Sequence, residues 1–215
     1  MPTSLRIQQI PGGPLQTNAF LVVDSNSREA LLIDAPPGTH DAITGAARDA
    51  GVTVKAIVLT HTHWDHIVDA NALRDALGAP VLAHPKADAR LAKPGSAVMQ
   101  LPFTIAPVTP DGHLEEGDQV MLGSHTFDVL FLPGHDPSHI ALYSEAQQAL
   151  LGGDVLFPGG HGRTDLPDAD HRAMLRSLAR LLDLPDDIIV YPGHGETMTI
   201  GDERNWMTRM TAGIA

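Results

Sequence analysis

At 215 residues, with 43% apolar but only 4% aromatic side chains, the chain has the length and composition of one well-packed domain, spanning residues 1–215. Its 26 acidic against 14 basic residues give a formal charge of −12, and no Lys/Arg cluster offers the basic face that nucleic acid requires. Cysteine is absent, which excludes disulfides and thiolate metal ligands, and no apolar run approaches the ~18 residues of a membrane span.

Met1-Pro2-Thr3-Ser4-Leu5-Arg6 carries no basic-then-apolar export pattern, so a cytoplasmic protein is expected. In chain order, Leu21-Val22-Val23-Asp24 and Ala30-Leu31-Leu32-Ile33-Asp34 read as a hairpin across Ser25-Asn26-Ser27. His40 to Ala50 reads as a helix closed by Gly51, and Lys55-Ala56-Ile57-Val58-Leu59 as a buried strand. Ile67 to Leu77 predicts a second helix with Gly78 as its stop, and Pro80 to His84 another strand. Residues 86–117 are irregular, interrupted by Pro94, Pro102, Pro107 and Pro110, and interleaved with Met99, Leu101, Phe103, Ile105 and Val108. Such a stretch either packs over the sheet edge or forms a lid that gives a substrate pocket an apolar wall. A meander follows: Val120 to Leu122, His125 to Leu132, Ile140 to Tyr143 and Ala149 to Leu151. Asp170 to Leu182 predicts a helix, Ile188 to Val190 a strand, and Glu203 to Met210 a short terminal helix. Strands and helices both interleave and cluster, which suits a mixed α/β sandwich better than a doubly wound sheet.

The densest chemical signal is Thr60-His61-Thr62-His63-Trp64-Asp65-His66. Imidazole and carboxylate suit zinc, iron and manganese, and no packing requirement crowds four such side chains together. The plain alternative is a solvated, His-rich turn. Three further strands end in glycine and a metal-competent side chain: Gly134-His135, Gly153-Asp154 and Gly193-His194. Glycine permits the sharp turn that lets the ligand leave the strand tip sideways. Four strand ends delivering ligands imply one rim on which all of them converge.

These residues resemble the metallo-β-lactamase fold superfamily: His61-Thr62-His63-Trp64-Asp65-His66, His135, Asp154 and His194, with Asp34 as the early strand-end aspartate. Within it, Gly152-Gly153-Asp154-Val155-Leu156-Phe157, Gly162-Arg163-Thr164-Asp165 and Pro192-Gly193-His194-Gly195 look most like short glyoxalase II-type hydrolases. The resemblance implies an αββα sandwich of two mixed sheets flanked by helices, with the metals at one edge. It implies His61, His63 and His135 for one metal, Asp65, His66 and His194 for a second, and Asp154 as the bridge. Two divalent ions are expected, zinc first, with iron or manganese as alternatives.

Three departures qualify the likeness. His63 replaces the Glu of the flavodiiron branch, the missing cysteine excludes a Cys-containing lactamase site, and the usual Gly-His-Thr-x-Gly-His appears as Gly134-His135-Asp136-Pro137-Ser138-His139. Full-length glyoxalase II enzymes continue into a helical domain, whereas 21 residues follow His194 here, and they present Lys and Tyr where this chain has Arg163 and Asp165. Loose recognition of glutathione is therefore expected.

Two metals sharing a hydroxide would suit attack at an acyl carbon, because coordination lowers the pKa of water toward ~7. Asp65 would both ligate and orient that hydroxide. A thiol leaves as a thiolate, with pKa near ~8.5, while an amide nitrogen needs an acid that the sequence does not assign. A small-molecule thioester or ester is thus the expected substrate, S-lactoylglutathione being the type compound. Persulfide dioxygenase with one iron, lactonase, and a closed structural metal site are the competing readings. His139 is expected to hydrogen-bond to the site rather than ligate, and Arg163 with Asp165 to form a buried ion pair bracing it. Arg163 gripping a substrate carboxylate is the alternative. His161 either lines the pocket or lies in solvent; His40, His84, His113, His125 and His171 are expected to be structural or superficial.

Overall fold

The structure is a computed structural model describing residues 4–96 and 100–214. Met99, one of the apolar residues of the irregular stretch 86–117, and the first three residues of the chain lie outside that range.

Two six-stranded sheets form the middle of the molecule. The first runs β1 (Leu5–Gly12), β2 (Thr17–Asp24), β3 (Glu29–Ile33), β4 (Thr53–Val58), β5 (Val81–Ala83) and β6 (Gly112–His113) in sequence order. Its first three strands are antiparallel and its later pairings parallel. The second runs β12 (Met198–Thr199), β11 (Ile189–Pro192), β10 (Ala149–Gly153), β9 (Ile140–Ser144), β8 (His125–Phe131) and β7 (Gln119–Leu122). It is antiparallel except for the β10–β11 pair. Both sheets are mixed, as expected.

Strand periodicity explains the layering. Successive side chains point to opposite faces, so a continuous apolar strand feeds two cores at once. In β2, Phe20 and Val22 enter the core between the sheets, while Ala19, Leu21 and Val23 face the helices. In β3, Leu31 and Ile33 face inward and Ala30 and Leu32 outward. The outward set meets α1 (His40–Ala50) and α3 (Ala70–Leu77) through Ile43, Ala47 and Leu73. On the other side, Leu150 and Val190 meet α5 (His171–Leu181) and α6 (Ile200–Thr211) through Met174, Leu178 and Met207. Each fully buried aliphatic or Phe side chain contributes about 1.5–3 kcal/mol. The result is an αββα sandwich.

Several expectations need correction. The helix read over Ile67 to Leu77 is broken into α2 (Trp64–Ile67) and α3. The break falls at Val68-Asp69 because the Asp69 carboxylate leaves to accept the backbone N–H groups of Thr39 (2.8 Å) and His40 (3.0 Å), capping α1. Strand β1 was missed; it is an edge strand whose Pro11 and largely exposed face hide the alternation. Residues 86–117 contain α4 (Asp88–Leu91) and β6. The terminal helix begins at Ile200, where Thr199 and Asp202 form a reciprocal capping box. Among the described residues, no helix is long and apolar enough to cross a membrane.

Candidate metal centre

Four strand ends meet at one edge of the sandwich. β4 delivers residues 60–66, β8 leads to His135, β10 ends beside Asp154 and β11 beside His194. Two bonds stitch the ends across the sheets, Ile140 N–H donating to the Thr60 carbonyl (2.9 Å) and Asn18 N–H to Gly193 (2.7 Å), and within the second sheet Gly193 N–H donates to Gly153 (2.8 Å). Backbone must approach closely here. A Cβ on Gly193 would lie 2.1 Å from Asp154 Oδ1, and one on Gly153, whose φ is +51°, would lie 2.7 Å from Thr60 Oγ1.

Three overlapping groups place their donor atoms within 4.8 Å of one another: His61, His63 and His135; His61, His66 and Asp154; Asp65, His66 and His194. Asp154 lies between them. Its Oδ2 is 3.3 Å from His135 Nε2 and 3.6 Å from His194 Nε2, and its Oδ1 is 3.3 Å from His66 Nε2. Asp65 Oδ2 is 3.3 Å from His194 Nε2 and accepts the Thr17 hydroxyl at 2.7 Å.

The outer nitrogens of the rings determine what the inner ones can do. His135 Nδ1 donates to the Arg163 carbonyl (2.8 Å), His194 Nδ1 to the Leu15 carbonyl (3.2 Å) and His66 Nδ1 to Asp34 Oδ2 (2.8 Å). The Thr60 hydroxyl donates to Asp34 Oδ2 (2.8 Å) and so accepts from His61 Nδ1 (3.0 Å). With Nδ1–H engaged in all four rings, the Nε2 lone pairs of His61, His66, His135 and His194 face the centre. His63 is turned the other way and offers Nδ1, 2.7 Å from His135 Nε2. His61 Nε2, His66 Nε2 and Asp154 Oδ1 are buried without a hydrogen-bond partner. Leaving such a group unpaired costs about 1–3 kcal/mol, and divalent cations would satisfy all three. The donor set fits metal.

Charge is distributed unevenly. Burial, reinforced by the charge of His66, holds the His61 imidazole well below its ordinary value, and burial beside His135 lowers His63 to about 4. These rings are neutral donors. Burial also opposes protonation of His66 and His194, but the surrounding carboxylates win: His66 is raised well above its ordinary value, and His194 to about 9. Burial would raise Asp65, yet His66 and His194 bring it down to about 2. Protons and cations compete for the same atoms in this carboxylate-rich half, so ion binding there releases protons.

The structure therefore brings His61, His63, Asp65, His66, His135, Asp154 and His194 together, with Asp34 and His139 behind them. His139 Nε2 accepts the Asp154 backbone N–H at 2.9 Å. Arg163 and Asp165 depart from expectation. They pair at 2.9 Å, but their side chains are 60% and 70% exposed, where an ion pair contributes little. The brace to His135 comes from the Arg163 carbonyl, while the exposed Arg163 side chain is among those lining the cleft. His161 packs against His171 and Trp206 instead of lining the pocket. None of His40, His84, His113, His125 and His171 belongs to the three donor groups.

A cleft of about 290 Å³ opens onto His63, Asp65, His135, Asp154 and His194. Its apolar walls are Leu15, Trp64, Phe157, Leu166 and Pro167. Of the two readings of 86–117, packing over the sheet edge fits Ile105 and Val108, which are buried; among the described residues of the segment, Arg90, Gly95 and Ser96 line the cleft. Sequence reading missed Thr17, whose signal is only its place at the start of β2; it singled out Asp136 as a departure from the usual pattern after His135 without giving it a role.

The sequence model of the metallo-β-lactamase superfamily matches residues 12–194. A hydroxyacylglutathione hydrolase of Haemophilus influenzae, GloC, is 34% identical over 93% of this chain and 95% of its own length. Among solved structures, the BLEG-1 B3 metallo-β-lactamase superposes with a TM-score of 0.87 at 36% identity, covering 96% of this chain and all of the other. TTHA1623, solved in a di-iron-bound form, superposes with a TM-score of 0.71 at 38% identity, over 92% of this chain and 96% of the other. With its sandwich, its edge-on His/Asp cluster and these relatives, the chain belongs to the metallo-β-lactamase superfamily of metal-dependent hydrolases.

Proposed function

We propose that this protein is a dinuclear hydrolase of small-molecule thioesters of the S-lactoylglutathione type. The observation that carries the two-ion reading is the Asp154 carboxylate, which turns one oxygen to His135 and the other to His66, each at 3.3 Å. His61, His63 and His135 would hold one ion and Asp65, His66 and His194 the other, six donors and a bridge being more than one tetrahedral ion uses. Zinc suits this set of nitrogen and oxygen donors, and iron and manganese are compatible with it. When bound, the pair supplies Lewis acidity toward an acyl oxygen and an acidified water as nucleophile.

The chain's own residues do the rest. Thr17 donates to Asp65 Oδ2 and so fixes the carboxylate that faces the cleft, where it accepts and orients the proton of the attacking water. Leu15, Trp64, Phe157 and Leu166 exclude bulk solvent and receive the acyl and thiol groups. Among the described residues that line the cleft, the histidines and carboxylates are all assigned as metal donors, which leaves none to protonate an amine, whereas a thiolate, with pKa near ~8.5, departs unaided. The name of the Haemophilus relative supports the thioester reading.

Metal analysis of the purified protein beside assays on S-lactoylglutathione, a persulfide and lactones tests this. The expected result is near two ions per chain and thioester hydrolysis with a high KM and comparable rates on other thiols, since Arg163 is already paired to Asp165 at an exposed rim. One iron per chain with oxygen consumption on persulfide would overturn the proposal. A KM of ~1–10 μM with strict dependence on glutathione would overturn the loose-recognition part of it.

A further inference from the structure

Asp136 is the acid that replaces the usual residue after His135. It is fully buried, and every polar group around it is a donor. The Thr62 hydroxyl donates to Oδ2 at 2.5 Å and the Thr62 N–H at 3.3 Å; the Ser138 hydroxyl and N–H donate to Oδ1 at 2.6 and 2.7 Å. Arg90 adds its guanidinium, Nε lying 3.8 Å from Oδ2. Donors to both oxygens offset the cost of burying this carboxylate.

The partners matter because of where they sit in the chain. Thr62 lies between His61 and His63, and Asp136 adjoins His135, so one carboxylate joins all three residues of the first donor group. Its counterpart is Asp34, at the end of β3, which accepts the N–H and hydroxyl of Thr60 at 2.8 Å each. The loop that carries His61 and His63 is thereby gripped from both sheets, Thr60 by Asp34 and Thr62 by Asp136. Arg90 extends the grip to the cleft wall, where its Nη1 lies 3.1 Å from Asp168 Oδ2.

We infer that Asp136 is a positioning residue for the His61–His63–His135 metal site, acting through Thr62, and that it touches neither metal nor substrate. The inference rests on the two-ion reading above. Groups that orient ligands typically change metal affinity or activity by about 10–100-fold when removed.

The test uses full-length Asp136→Ala, Asp136→Asn and Thr62→Val proteins, stripped of metal and titrated with Zn(II) by calorimetry and with Co(II) by visible absorption. His63→Ala and His194→Ala serve as markers for the two sites. Asp136→Ala should weaken one site by about 10–100-fold, alter its Co(II) spectrum in the manner of His63→Ala, and leave the other site as in wild type. Thr62→Val, nearly isosteric, should show the same change in smaller measure and decides the matter if Asp136→Ala does not fold. Asp136→Asn, which keeps an acceptor oxygen, should fall between. In activity, kcat should drop more than KM rises. Wild-type Zn(II) affinity and Co(II) spectrum at both sites in the alanine and valine variants would overturn the inference, whatever happens to the melting temperature. A wild type that takes up one ion would overturn the dinuclear reading instead, and Asp136 is then judged by whether Asp136→Ala weakens that ion.

Discussion

His139 Nε2 accepts the backbone N–H of Asp154 at 2.9 Å. That bond orients the peptide immediately after Gly153 and so aims the carboxylate that spans the two donor groups. Burial next to His135 pushes the His139 imidazole down to about 3, so the ring stays a neutral acceptor. Replacement by Leu removes the acceptor and leaves the Asp154 N–H buried and unpaired, at a cost of about 1–3 kcal/mol. We expect a lower melting temperature and about 10–100-fold weaker Zn(II) binding. Unchanged calorimetric titrations would count against this role.

Asp154→Asn and His194→Ala should separate the two halves of the centre. The first removes the charge that both donor groups face, so both ions should loosen and turnover nearly vanish. The second removes a donor from only one group, so on the proposed two-ion reading metal content should fall from about two ions to about one. Elemental analysis after gel filtration reads both. Full metal content and activity in Asp154→Asn would sink the bridging assignment.

Gly193→Ala should be among the most damaging small substitutions. The added methyl would meet Asp154 Oδ1 at 2.1 Å and His66 Cε1 at 2.7 Å; His66 is held by Asp34 at 2.8 Å, and Asp154 is enclosed by His66, His135 and His194. We expect a folded protein, by circular dichroism, that has lost most of its metal. Alanine at Gly95, whose Cβ position meets nothing within 4 Å among the described residues, is the control and should load normally.

Acid stability should depend on Asp24, remote from the metal centre. Burial would raise its carboxyl, but hydrogen bonds from Ser27 and Ser4 and the backbone N–H groups of Asn26 and Ser27 outweigh that and hold it far below the usual carboxylate range. Because the folded-state value is depressed, the stabilisation is complete above the unfolded value of ~3.9 and is lost progressively as pH falls from there toward the far lower folded-state value. Asp24→Ala should lose about 1–3 kcal/mol at pH 7, with the gap to wild type closing in acid. Urea melts at pH 7 and pH 3 measure this. A gap that widened in acid would refute the sign.

The candidate donor set was legible because metal chemistry limits it to few residue types and the chain concentrates them. His61, His63, Asp65 and His66 fall within six positions, and the remaining three each follow a glycine at a strand end. The helix His40–Ala50 and the meander were legible for a similar reason: periodicity and glycine stops are local signals. The hairpin of β2 and β3 was equally plain, since its apolar runs are long enough to feed a core on each side.

What sequence reading lost was whatever depended on partners distant along the chain. Asp69 breaks a regular helical pattern because it caps α1, 30 positions back. Arg163 and Asp165 adjoin the site along the chain, yet their exposure is set by how the loop leaves the rim. The cleft walls come from Leu15, Trp64, Phe157 and Leu166, which share no local motif. The amino-acid sequence by itself determined the donor types, the αββα layering and the family, because ligand chemistry and strand alternation are properties of short segments. Only the tertiary structure decided which ring nitrogen faces the centre and which carboxylate holds each loop, because those follow from hydrogen bonds between strand ends that the fold alone brings together.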